Sequence, residues 1–234
     1  MSNNNKNAIL CIETTSNICG VSLVVDNKIL YENNLDTGLT HSVTLFNNIY
    51  DALNKSNIDI KEISQINVSS GPGSFTGIRI GIAAAVGLAE KYDTKISYID
   101  TLDSLAYNLL QTNHKSNYIL NMIDAKVDRV YIALFDAKTL NKLSKDTIIS
   151  IKDLCQILND YFLNKNVSFS LVGSGAVNYK NAFKELLKID YKILYKESEL
   201  NASSLAFAKG QISKMPIVNY LLASKAEREK NGNN

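Results

Sequence analysis

The chain is predicted to be an α/β protein in which one βββαβα unit occurs twice in tandem. Three observations predict it. The order of apolar runs and amphipathic stretches over residues 8–109 recurs over 118–187. In each half an acidic residue ends the first strand, Glu13 in one and Asp124 in the other. In each half, too, a glycine turn about fifty to sixty residues beyond that acid joins a later strand to a helix, which points to internal duplication. At 234 residues, 45% hydrophobic and 21% charged, the chain can fill two cores of a hundred residues or so each.

The elements follow in order. Residues 8–14 and 20–25 are rich in Ile, Val and Leu, and Asp26-Asn27 turns the chain into 28–36, so three strands form a meander. From His41 the period changes. Val43, Phe46, Ile49, Tyr50 and Leu53 fall at helical spacing with polar residues between them, which predicts an amphipathic helix to about Lys55. Residues 63–69 read as a strand that ends at Ser70-Gly71-Pro72-Gly73-Ser74, where proline and glycine force a turn before an Ala-rich apolar helix over 75–91. Residues 95–100 add a strand, and Leu102, Leu105, Ala106 and Leu109 add a helix.

In the second half, 118–124, 129–135 and 143–149 read as strands, 151–163 as a helix, 168–172 as a strand ending at Gly173-Ser174-Gly175, and 179–187 as a helix. Leu205, Ala206, Ala208 and Ile212 predict a further helix from 202, ended by Met215-Pro216. The expected organisation is a first lobe over 1–103 with a C-terminal helix within 202–222 packing back on it, a second lobe over 104–201, and a flexible tail over 223–234.

Charge and composition exclude several function classes. Twenty-five basic and 23 acidic residues leave a net charge of +2, too little to recruit nucleic acid by charge alone. Only Arg79, Arg129 and Arg228 carry guanidinium groups suited to bidentate phosphate contacts. Cys11, Cys19 and Cys155 form neither a disulfide framework nor a zinc knuckle. The polar start and the lack of an apolar run near the ~20 residues needed to span a bilayer predict a cytoplasmic protein without a membrane partner. His41 and His114 form no metal-binding pair, and no nucleophile elbow is present, so no catalytic residue and no metal site are assigned.

Two segments could handle phosphate. A strand ending in Glu13 before Thr14, Thr15 and Ser16 can hold a hydrated cation while turn amides face an anion; by spacing alone it reads more readily as a polar strand end and an ordinary turn. The turn with Gly71, Gly73 and Ser74 can aim free amides and a helix dipole at a phosphate, or can simply let the helix pack closely on the sheet. It lacks a Walker lysine, and its third glycine is one position late for the dinucleotide pattern. Asp124 with Arg129 is either an active-site pair or an ion pair at a strand turn.

The helix behind the glycine turn carries a stripe of small residues. Gly77, Gly81 and Ala85 recur every four positions with Ala84 and Gly87 beside them, although each interior glycine costs about 1 kcal/mol relative to alanine. Ile78, Ile80, Ile82, Val86 and Leu88 make the rest apolar nearly all round, so either the helix from His41 or a second protein covers it. The expected partner surface comprises His41, Phe46, Ile49, Tyr50 and Leu53 from the first helix, with Gly77, Ile78, Gly81, Ala84, Ala85 and Leu88 from the second.

Ile9-Leu10-Cys11-Ile12-Glu13-Thr14-Thr15-Ser16, Gly20-Val21-Ser22-Leu23, Thr40-His41-Ser42, the run from Ser70 through Gly77 to Gly81, Ile123-Asp124-Ala125 and Val130-Tyr131 together resemble the bacterial TsaB (YeaZ) family. The resemblance is strong over 8–135, weak across the second lobe, and returns at Asn219-Tyr220-Leu221 and Ala226-Glu227. It implies a duplicated RNase H-like fold of the actin, Hsp70 and sugar-kinase kind. It also implies a non-catalytic partner of TsaD, acting with TsaE to install threonylcarbamoyl on adenosine 37 of ANN-decoding tRNAs. By the same resemblance TsaD pairs through the first-lobe helices, a homodimer forms through them when TsaD is absent, and tRNA is met only through the complex. Glu13, Thr14, Thr15, Gly71, Gly73, Ser74 and Asp124 would then be a vestigial nucleotide site, with no cofactor beyond weak ATP, ADP or Mg²⁺ binding, mainly at the level of the complex. Glu13 stands where the family more often has Asp, Lys126-Val127-Asp128 replace an arginine-bearing stretch, and Leu222 replaces a frequent Arg. The alternative class is a self-sufficient nucleotide-dependent phosphotransferase using Glu13, Asp124 and the two glycine turns.

Overall fold

Two mixed sheets organise the chain in the computed structural model, which describes residues 7–38, 41–109 and 115–221. The first unit holds the chain through Tyr107 together with Leu200–Asn219, and the second holds Asn108–Glu199. The sequence reading puts the boundaries at 103 and 201. The tail over 223–234, Leu222, His114 and Arg228 lie outside the described residues.

In the first unit, β1 (Ala8–Glu13), β2 (Ile18–Val25) and β3 (Lys28–Asp36) form the meander. Asp26 and Asn27, both at positive φ, close its second hairpin, the conformation that a two-residue turn demands and that Asp and Asn tolerate. Helix α1 (His41–Ser56) returns the chain to β4 (Ile63–Ser69), parallel to β1, and α2 (Phe75–Tyr92) returns it to β5 (Lys95–Ile99), parallel to β4. Helix α3 (Thr101–Tyr107) follows. β1 is buried on both faces, as parallel pairing beneath helices requires. Ala8, Leu10 and Ile12 face a core built with α1 and α2, while Cys11 faces a second cluster with Ala202 and Leu205.

The second unit repeats the plan: β6 (Tyr118–Lys126), β7 (Arg129–Asp136), β8 (Thr147–Ser150), α4 (Ile151–Phe162), β9 (Ser168–Val172), the short helices α5 (Ser174–Asn178) and α6 (Lys180–Leu186), and β10 (Asp190–Ile193). Its sheet order is β10-β9-β6-β7-β8. The first unit's order, β5-β4-β1-β2-β3, is the same sequence of roles, with β11 (Gly210–Ile212) added beyond β5. The core gathers Phe169, Phe183, Leu120, Met122 and Leu171 beneath α4 and α6.

Two expectations need correction, and two elements, α5 and β10, have no counterpart in the sequence reading. The third strand of the second half begins at Thr147, not 143, because the chain from 137 to 146 is used in turns and one isolated bridge, Phe135 to Lys142. The helix expected over 179–187 is α6, and a further short helix, α5, precedes it where Gly175 lies too close to Met122 and Val130 to admit a Cβ. β10 went unread because its four residues alternate too briefly to stand out. The C-terminal helix is a 3₁₀ turn over Ala202–Ala206 and then β11, because side chains of the first unit capture its backbone amides. Ala202 N donates to Asn34 Oδ1, Ser203 N to Glu32 Oε1, and Asn67 Nδ2 donates to the Leu205 carbonyl.

Candidate functional site

Glu13 is fully buried where β1 ends. Oε1 accepts from the Thr15 amide at 2.7 Å and the Thr15 hydroxyl at 2.6 Å, and Oε2 accepts from the Ser69 hydroxyl at the end of β4. Burial pushes this carboxyl above its ordinary range, against the hydrogen bonds from Ser69 and Thr15 that favour the charged form.

Asp124 ends β6 in the same way. Its Oδ1 accepts from the Lys126 amide at 2.8 Å and the Tyr179 hydroxyl at 3.1 Å, and Oδ2 accepts from Lys126 Nζ at 3.0 Å and Asn178 Nδ2 at 2.9 Å. Desolvation raises this carboxyl, but the hydrogen bonds from Lys126 and Asn178 outweigh it and hold the group below its usual range. The four lone-pair positions of Asp124 are thus filled by its own unit, and three of the four on Glu13. The cation on Asp124 is Lys126, not the expected Arg129. The duplication reaches the hydrogen bonds: each acid accepts from the amide two residues on.

The glycine turns are equally occupied from within. Ser74 donates its amide to the Thr15 carbonyl at 2.7 Å, and its hydroxyl caps α2 by accepting from the Gly77 amide. A Cβ on Gly73 would strike Thr15, and one on Gly77 would fall on the Thr14 carbonyl oxygen. On Gly81 it would meet the Thr14 hydroxyl, which already donates to the Gly77 carbonyl at 2.8 Å. In the second unit the Gly173 amide donates to Ser198 Oγ. Close packing of turn on strand, one of the two alternatives left open by the sequence, is what these turns achieve. Glu13, Thr14, Thr15, Gly71, Gly73 and Ser74 meet in the first unit, while Asp124 belongs to the second.

The expected partner surface is redrawn. Gly77, Ile78, Gly81, Ala84 and Ala85 face the chain's own sheet and are buried, as are Ile49 and His41, while Leu53 and Leu88 are half-buried. His41 joins the start of α1 to the β1–β2 turn. Its Nε2 lies 2.7 Å from the Ser16 carbonyl, which can only accept, so Nε2 carries hydrogen; the Thr37 hydroxyl sits 2.8 Å from Nδ1. Phe46 and Tyr50 do face outward, 56% and 67% exposed, with Val43 at 72%. On α2 the outward positions are Thr76, Arg79, Ala83, Gly87 and Glu90, with Ile80 half-buried; Arg79 stacks over the Phe75 ring at 3.9 Å. The small-residue stripe that faces solvent is therefore Ala83 and Gly87, and a Cβ on Gly87 meets open space.

Comparison with known proteins places this arrangement. The family model described as TsaD, tRNA N6-adenosine threonylcarbamoyltransferase, matches residues 36–225. The tRNA threonylcarbamoyladenosine biosynthesis protein TsaB of Bacillus subtilis is 30% identical over 154 residues, 65% of this chain and 66% of that protein. The chain belongs to the TsaB branch of the TsaD family. YeaZ from Pseudomonas aeruginosa shares the fold with a TM-score of 0.74 at 18% identity, covering 92% of this chain and 100% of that one. A Bacteroides thetaiotaomicron protein described as having an actin-like ATPase fold gives 0.50 at 13% identity, covering 89% and 100%. The duplicated α/β architecture is thus the RNase H-like fold of actin and its relatives.

In this TsaB-family chain no group of three or more His, Cys, Asp or Glu side chains is placed to hold a metal ion among the described residues, and no described helix is long and apolar enough to cross a membrane. All three cysteines are buried, and burial pushes the thiols of Cys19 and Cys155 up to about 11. Sequence reasoning missed Ser69, Lys126, Asn178 and Tyr179 as partners of the two acids. Ser69 was the one with a signal, adjoining the glycine turn at the end of a strand neighbouring β1.

Proposed function

We propose that this chain is a non-catalytic subunit of the machinery that forms N6-threonylcarbamoyladenosine at position 37 of ANN-decoding tRNAs, and that it works by pairing with TsaD through the outer faces of α1 and α2. The observation that carries the reading is the run of outward apolar side chains Val43, Phe46 and Tyr50 on α1, which shares a sheet face with the outward Ala83 and Gly87 of α2 and the half-buried Ile80. A monomer gains nothing by exposing such a set, whereas a partner helix gains close approach over the small residues and apolar burial beside them. TsaE joins the assembly, tRNA is met through it, and without TsaD the same faces support a homodimer. The reading places the chain in the cytoplasm. The occupied carboxylates of Glu13 and Asp124 speak against the phosphotransferase alternative, since a phosphate or Mg²⁺ would have to displace hydrogen bonds already made.

The test is light scattering on size-exclusion fractions of this chain alone and mixed with TsaD from the same source. Phe46→Asp and Gly87→Leu should weaken or abolish the complex at unchanged melting temperature. No complex with the unaltered, folded chain would overturn the reading.

A further inference from the structure

Ser70 and Gly71 leave β4 for α2, and their peptide groups are held from two directions. Ser70 N donates to the Ile99 carbonyl, and the Gly71 carbonyl accepts from the Thr101 amide, each at 2.8 Å, which ties the turn to the junction of β5 and α3. From the other direction comes Asn219, far away in sequence. Its amide donates to the Ser70 carbonyl at 2.8 Å, and its Nδ2 donates to Asp100 Oδ2 at 2.7 Å. The other oxygen of Asp100 starts α3 by accepting from the amides of Leu102 at 2.8 Å and Asp103 at 3.2 Å. The Asn219 carbonyl lies 2.6 Å from where a Cβ on residue 71 would stand, and Gly71 has φ +102°. Glycine there serves both a left-handed backbone and the approach of Asn219.

The segment leading to Asn219 is anchored along its way. β11 pairs antiparallel with β5, Ser213 N donates to the Ile96 carbonyl, and Ile217 and Val218 pack against the core shared by α1 and α2. The occupant of the glycine turn is therefore this chain's own C-terminal segment.

We propose that Asn219 is a positioning residue: by clasping Ser70 and Asp100 together it sets the direction in which α2 leaves the glycine turn, and so the presentation of the α1 and α2 face to its partner. The step rests on the partner reading given above.

The full-length chain tests it in four variants: Asn219→Ala, Asn219→Asp, Asp100→Asn and the double variant Asp100→Asn/Asn219→Asp. Asn219→Ala should speed hydrogen exchange at 70–74 and at Thr101 and Leu102, and weaken TsaD binding about tenfold, the worth of one good hydrogen bond. Asn219→Asp should be worse, since two carboxylates then face each other. The double variant should recover most of the loss, because the carboxamide at 100 keeps the α3 cap through its oxygen and donates its nitrogen to the carboxylate at 219. A control, Asn159→Ala in the second unit, loses comparable hydrogen bonds to Leu186 and Lys188 and should leave the complex intact. Unchanged affinity in Asn219→Ala, or a double variant no better than Asn219→Asp, overturns the proposal. If the unaltered chain forms no complex, the partner reading fails first, and the clasp itself falls if exchange at 70–74 is unchanged in Asn219→Ala.

Discussion

Thr14 and Gly77 meet at backbone distance: the Thr14 hydroxyl donates to the Gly77 carbonyl at 2.8 Å, and the Thr14 carbonyl occupies the space a Cβ on residue 77 would need. The residue that follows β1 thus meets the first turn of α2 at backbone distance, its carbonyl standing where a Cβ on residue 77 would have to go. Such a contact cannot be relieved by a rotamer change. Gly77→Ala should therefore destabilise the first unit by about 1–3 kcal/mol, in the range of overpacking that forces a backbone shift. Gly87 sits on the open side of the same helix, and Gly87→Ala should be neutral or stabilising by up to about 1 kcal/mol. Urea melts of the two variants check the pair, and equal effects would mean that the helix is rotated from the orientation described.

The two strand-ending acids respond to pH with opposite sign. Glu13 has a folded-state pKa raised above its unfolded value, so its contribution is fully present below the unfolded value and is lost as pH rises through the folded one. Asp124 has a lowered folded-state pKa, so its contribution is present above the unfolded value and is lost as pH falls through the folded one. Glu13→Gln should flatten the decline in stability of the first unit from acid toward neutral pH. Asp124→Asn should flatten the acid loss in the second. Hydrogen exchange resolved by unit, measured across pH 3 to 8, separates the two, and slopes of the same sign in both units would contradict the assignment.

What the sequence showed and what it hid divide along one line. The duplicated order of elements was readable because period, glycine turns and strand-ending acids are local features, and Glu13 and Asp124 do occupy equivalent places. The direction in which a helix face points is not local. In α1 the apolar series Val43, Phe46, Ile49, Tyr50 and Leu53 reads as one face, yet the core takes His41, Leu45, Asn48, Ile49 and Ala52. Asn48 is admitted because it accepts from the Tyr31 hydroxyl at 2.8 Å and donates to the carbonyls of Cys19 and Asn33. A buried asparagine inverts the hydrophobic pattern around it, and only the strand beneath reveals that. The glycine stripe misled for a similar reason, since close approach to a sheet and close approach to a partner demand the same small residues.

Buried thiols should be silent. Cys19 and Cys155 have pKa values pushed up to about 11 by burial, with the nearby Glu13 charge adding to the effect at Cys19, and Cys11 is raised further still. At pH 8 almost none of each is thiolate. In the native state an aromatic disulfide reagent should release less than one equivalent over an hour, and three equivalents after denaturation. Rapid labelling of one thiol before unfolding would show local opening at that cysteine.

His41 supplies the sharpest separation between building the first unit and contacting a partner. Both ring nitrogens are used inside, one donating to the Ser16 carbonyl and the other meeting the Thr37 hydroxyl, so the ring staples the start of α1 to the turn after Glu13. His41→Ala removes both of these hydrogen bonds and opens a void beneath the helix, a loss of about 1–3 kcal/mol. His41→Gln keeps one donor and one acceptor and should lose less. Phe46, one turn further along α1, is exposed and should behave in the opposite way: Phe46→Asp leaves the melting temperature within a degree or two and weakens the complex by at least tenfold. Melting curves and binding isotherms on the same samples give a crossed pattern if α1 has this inner and outer face. A His41→Ala variant that melts normally but fails to bind would place the imidazole in the interface and remove the distinction.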